Sequence, residues 1–209
     1  MNLRIIPQLT TQHFYDMEAL ELQFYDAEFI TPPEESYRWY LHHPHSTVAA
    51  ESNGQLVGFV NLFPVLPEVY EALRAGTFND HFLEMEHIAP LTAQPLHMFL
   101  SCILVDRQFR RQGLTRQLLQ AAVQPYAGLP CTGVITDNVT ADGCAFSARY
   151  GFTRLRRSEP CSEGARKWGC TPASIPPATS VAMPMMPCWR IPTWYCWISR
   201  HGTRSSTGE

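Results

Sequence analysis

No two cysteines of this chain stand as a Cys-x-x-Cys pair, and their total of seven is odd. Neither a disulfide framework nor a zinc site is indicated by such a pattern. No apolar run approaches the roughly 18 residues of a membrane-spanning helix, and the opening MNLRIIPQLT lacks a signal peptide's apolar core. A reduced, cytoplasmic protein with no membrane partner is the expectation. Basic charge is not in excess either. With 16 Lys and Arg against 19 Asp and Glu, the net charge is −3, which gives no global electrostatic case for nucleic acid.

A further absence is local. Nineteen leucines lie at or before Leu155 and none follows it, while four of the five tryptophans and four of the seven cysteines do. Aspartate vanishes over the same stretch, and Pro176, Pro177, Pro184, Pro187 and Pro192 cut any element short. An interaction segment, a lineage-specific extension and translation out of frame after about Arg157 are three readings of this change. The expected division is therefore a folded domain over 1–157 and a Pro/Met/Trp/Cys-rich tail over 158–209 that does not fold with it.

What is present centres on Met98 to Leu119, MFLSCILVDRQFRRQGLTRQLL. Met98 to Val105 is an apolar run of strand length, and Leu114, Leu118 and Ala121 share one helical face. Between them lies an arginine-rich turn closed by Gly113. The first N–H groups of a helix have no internal partner and the dipole there favours negative charge, so this turn is an anion site suited to pyrophosphate. It is neither a Walker A loop nor a dinucleotide fingerprint, which need further glycines.

Before this centre, Leu3 to Leu9 reads as a strand, Gln12 to Glu28 as a helix and Pro33 as the start of a second helix carrying Tyr37, Trp39, Tyr40 and Leu41. His42, His43 and His45 sit at poor spacing for one metal ion, and a polar helix end is expected. Asn53-Gly54 between Ser46–Glu51 and Gln55–Phe63 signals a hairpin ending at Pro64. Pro67 to Ala75 suits a short helix and His81 to Ile88 a strand. After the centre, a helix stops near Pro125, Cys131 to Thr136 is a strand, Asp137-Asn138 opens a helix to about Tyr150, and Phe152 to Arg157 is a last strand.

Val105, Arg110, Gly113 and Thr115 resemble the acyl-CoA loop of the GNAT superfamily of N-acyltransferases, V-x-x-x-x-[QR]-x-x-G-x-[GA]. Arg107 and Thr115 depart from its usual proline and final Gly or Ala. Asn138, Phe146, Gly151 and Phe152 resemble the family's N-x-x-A-x-x-F-Y-x-x-x-G-F segment. The element order and the Asn-Gly hairpin are similar too, over residues 1 to 157. The resemblance implies an α/β (α+β) fold, a mixed central sheet with flanking helices and two splayed parallel strands at the CoA site. The family's seventh strand is not visible in the sequence.

By the same resemblance, acetyl-CoA or a related acyl-CoA is the donor, and an amine attacks the thioester directly. Backbone at Ile103, Leu104 and Val105 would hold the pantetheine arm, and Arg110, Arg111, Gln112, Gly113, Leu114, Thr115 and Arg116 the pyrophosphate, with Asn138 nearby. Glu84 and Glu86, beside His87 and with His97 further on, lie where the family often supplies the base. Ser147 stands where a tyrosine often protonates the leaving thiolate. No metal is implied. The acceptor is a small-molecule or peptide amine, and a homodimer is compatible with the family. The alternatives are a CoA-binding domain that has lost catalysis and, on composition alone, an interaction module using the aromatic tail.

Overall fold

The computed structural model describes residues 3–27, 30–138, 140–154 and 194–197. Strand β1 (Leu3–Ile5) is followed by α1 (Thr11–Glu21) and α2 (Pro33–His42). Helix α1 turns Phe14, Met17 and Leu20 inward, as their spacing predicts, but ends seven residues before Glu28. Pro33 opens α2 with Glu34 and Glu35 in the first turn, where carboxylates favour the helix dipole.

Strands β2 (Thr47–Ser52) and β3 (Gln55–Val65) form the expected hairpin. Asn53 and Gly54 have φ of 53° and 80°, the left-handed pair that a two-residue turn matched to strand twist requires. The strand does not stop at Pro64. It pairs through Pro64 opposite Met98 to Val65 opposite His97. Helix α3 (Pro67–Ala75) follows, capped by Gly76. His81 to Ile88 is not a strand: it makes two short 3₁₀ turns, Asp80–Phe82 and Met85–His87, and a single bridge from Ile88 to Val65. Glu84, Glu86 and His87 belong to the second turn, where the Glu84 N–H donates to His87 Nδ1 at 2.9 Å. Local bonding there outcompetes ladder pairing.

Strand β4 (Leu96–Val105) is central, antiparallel to β3 and parallel to β5 (Cys131–Asp137). The intervening α4 (Leu114–Val123) buries Leu114, Leu118 and Ala122, so Ala122 rather than Ala121 completes its inner face. A turn at Gln124–Tyr126 ends it, and the Tyr126 hydroxyl donates to the Leu62 carbonyl at 3.1 Å. Helix α5 (Ala141–Arg149) starts later than expected, with Thr140 as cap accepting from the Gly143 N–H. Strand β6 is Thr153–Arg154.

With Trp194–Trp197 as β7, the sheet runs β1, β2, β3, β4, β5, β7, β6. This seventh strand is parallel to β5 on one side and β6 on the other. This corrects the expectation of a missing seventh strand and of a tail wholly outside the fold. Trp194, Tyr195 and Trp197 have high strand propensity, and a waiting sheet edge overrides the lack of a wider period. The remainder of 158–209 lies outside the described residues.

Two packed layers flank the sheet. On one face, α4 covers Val57, Val60, Met98 and Leu100. On the other, α1 and α2 cover Phe59 and Leu104, and α3 covers Phe63 and Phe99. Each such side chain contributes about 1.5–3 kcal/mol when fully buried. Among the described residues no helix is long and apolar enough to cross a membrane.

Candidate active site: a forked sheet with a basic turn at its mouth

Parallel pairing of β4 with β5 stops at Leu100 and Thr136, although β4 runs on to Val105. Ser101 is the reason. In the ladder with β3, Leu62 faces Leu100 and Asn61 faces Cys102, so Ser101 is an extra residue without a partner. A bulge of this kind bends its strand and turns β4 away from β5. The Thr136 hydroxyl donates to the Leu100 carbonyl at 2.8 Å, where the strands part. Beyond the fork, Ile103, Leu104 and Val105 pair with Val60, Phe59 and Gly58 on the β3 side alone. Backbone groups directed away from β3 therefore face the gap.

A cleft of about 700 Å³ opens over the fork. Its floor includes Asn61, Cys102 and Leu104, and one wall is the end of α1 with Glu21, Phe24 and Tyr25. The opposite wall is Thr136 to Asn138 with Phe146 of α5. At the mouth stand Arg110, Arg111 and Thr115.

The turn between β4 and α4 is built by local bonds. Asp106 accepts from the Gln108 N–H at 2.8 Å, and Gln112 donates to the Gln108 carbonyl at 3.1 Å. Arg111 has φ of 62° and Gly113, the residue before α4, has φ of 80°. A Cβ placed on Gly113 would meet nothing within 4 Å, so the helix start is open to a ligand. Leu114 anchors the helix in the core, whereas Gln112, Gly113 and Arg116 are exposed.

Arg110 is held rather than free. Its Nε donates to the Val105 carbonyl at 3.1 Å, its Nη1 pairs with Asp142 at 2.6 Å, and its guanidinium lies 5.1 Å from the Phe24 ring centroid. Arg107 packs on Phe24 as well, at 5.2 Å. These contacts tie the turn between β4 and α4 to the α1 wall and to the first turn of α5.

Asn138 lines the cleft and donates through Nδ2 to Ser147 Oγ at 2.7 Å. Ser147 itself is buried and does not line the cleft. Glu84 and Glu86 are exposed on their 3₁₀ turn and do not line it either. His97 packs its ring against Tyr70, at 4.9 Å, on the α3 side.

Three groups that the sequence reading passes over stand in the cleft instead. Burial raises Glu21 from its ordinary 4.5 to about 7, against the opposing hydrogen bond from Cys102. Burial also lifts the Cys102 thiol, aided by Glu21, and lifts the Tyr25 phenol, which stays a hydrogen-bond donor. Glu21 was visible as a carboxylate at helical spacing from Phe14 and Met17, on an otherwise apolar stripe. Cys102 was hidden, because strict alternation along β4 misplaces every side chain beyond an unseen bulge.

Structural relatives share this architecture at low identity. Ard1 from Thermoplasma volcanium has a TM-score of 0.50 and 14% identity, over 73% of this chain and 84% of that one. The GphF GNAT-like decarboxylase in complex with isobutyryl-CoA has a TM-score of 0.50 and 17% identity, over 73% of each chain. At such identities the likeness establishes the fold alone. No curated protein matches the chain. The acetyltransferase (GNAT) family matches residues 14–152, and with the forked sheet and the open helix start at its mouth, the chain belongs to that family.

Proposed function

We propose that this protein moves an acetyl or other small acyl group from acyl-CoA to an amine by direct attack. The observation that carries the reading is the fork, with one cleft joining the unpaired side of Ile103 to Val105 to the open start of α4. An extended pantetheine arm suits that unpaired strand edge, which can bond it as a further strand would. The start of α4, open at Gly113 with Arg111 and Arg116 exposed beside it, suits a pyrophosphate. Isobutyryl-CoA in the GphF relative supports acyl-CoA as the ligand class.

The chemistry asked of the protein is modest. It orients a thioester beside a neutral amine and places N–H donors where negative charge develops on the carbonyl oxygen. Strand β4 offers such donors at the fork, on a backbone fixed by its β3 ladder. Ser147, with its hydroxyl bonded by Asn138, is buried outside the cleft lining. A thiol of pKa about 8.5 leaves tolerably as the thiolate, so turnover does not require an acid there.

That same arrangement favours a second reading, a CoA-binding protein without catalysis. Calorimetry with CoA, followed by acetyl-CoA turnover against an amine panel, separates the two. Binding with turnover is expected. Binding without turnover selects the second reading, and absence of binding removes both.

A further inference from the structure

The floor of the cleft carries a polar cluster that neither pyrophosphate nor pantetheine binding uses. Glu21 ends α1 and lines the cleft, with the Cys102 thiol hydrogen-bonded to its carboxylate. Asn61 is the ladder partner of Cys102 across β3 and β4, so the two lie side by side on one face of the sheet. Asn61 also lines the cleft, and its Oδ1 is buried with no hydrogen-bond partner. A buried acceptor left unpaired is destabilising, and a ligand N–H would satisfy it. One ionisable acceptor and one neutral acceptor therefore line the same cleft on either side of Cys102, beside the fork where the thioester carbonyl would sit.

We propose that Glu21 and Asn61 form the acceptor subsite, Glu21 as the base for an alkylammonium group and Asn61 Oδ1 as the acceptor of a second N–H. The assignment rests on the acyl-CoA reading above. The ammonium gives one proton to the Glu21 carboxylate and becomes a neutral amine. Its nitrogen lone pair forms the C–N bond at the thioester carbon, and the C–S bond breaks with its electron pair leaving on sulfur. The second N–H proton is lost as the amide forms and reaches the thiolate, giving CoA thiol, while Glu21 returns its proton to solvent. The charged and titratable groups around Glu21 are Glu18 on its own helix, Cys102 on β4 and Tyr25 beyond the helix end, with Arg110 and Asp142 acting on Tyr25. Burial, the largest influence, holds Glu21 at about 7, close to the working range of a base.

The test uses the full chain, acetyl-CoA and a panel of primary alkylamines, with CoA affinity measured by calorimetry in parallel. The parent should show kcat/KM rising with pH through about 7. Glu21→Gln should lower kcat/KM by roughly 10²–10⁴-fold and abolish that rise, with CoA affinity unchanged. Asn61→Ala should raise KM for the amine about tenfold or more, with CoA affinity unchanged. A Glu21→Gln protein that keeps the parent's pH profile overturns the proposal. So does CoA binding without turnover of any amine, or an acetyl group found on Cys102 by mass spectrometry. Loss of CoA binding in the parent would instead remove the acyl-CoA reading itself.

Discussion

Glu21 links function to stability at the level of one side chain. Its folded value near 7 exceeds the ordinary 4.5, so between those values the folded state holds a proton that the unfolded chain has lost. Stability therefore falls as pH rises across this window, and the unfavourable contribution is fully present above it. Glu21→Gln should raise the melting temperature relative to the parent at pH 8, with a smaller gain at pH 5, by calorimetry at the two values. Gly113 gives a second residue-scale expectation. Gly113→Glu should weaken CoA binding at least about tenfold, by setting a carboxylate against the pyrophosphate. The folding cost should be about 1–2 kcal/mol for a side chain at φ of 80°; calorimetry and urea unfolding read the two effects. Gly113 was legible because a single glycine between an apolar strand and a periodic helix has few other uses. Asn61 was not, because nothing in its neighbours says that its amide oxygen ends buried and unpaired.

Among the elements, the hairpin, α2, α3 and the strand–turn–helix at the centre follow from turn residues and spacing. Boundaries moved where a local bond or cap intervened, as at Thr140, which delays α5 beyond Asn138. The fork is different in kind. It depends on Ser101, an ordinary residue in an apolar run, and on how β3 and β4 fall into register. Gly58 bears on that register directly. A Cβ there would lie 2.8 Å from the Leu104 carbonyl oxygen and 3.2 Å from a Val105 methyl. Backbone cannot give way as a side-chain end can, so Gly58→Ala should push β3 from the cleft end of β4. A loss of about 1–3 kcal/mol in urea unfolding, together with weaker CoA binding, is expected. Gly54→Ala, with nothing within 4 Å of its Cβ, should leave CoA binding unchanged.

For the whole molecule, the decisive feature is the insertion of Trp194–Trp197 between β5 and β6. The tail's composition concealed it, because a strand of four residues shows no period among prolines. A chain ended at Arg157 should expose the β5 edge beside the cleft and associate through it, seen as increased light scattering relative to the full chain. Light scattering equal to that of the full chain would show that β7 is dispensable. The order of the sheet also sets an order in time. Trp197 lies about sixty residues after Asp137, its ladder partner. At ribosomal rates of 5–20 residues per second, that separation is about 3–12 s of synthesis. For those seconds β1 to β5 can already be paired while one flank of the nascent sheet waits for a strand not yet made.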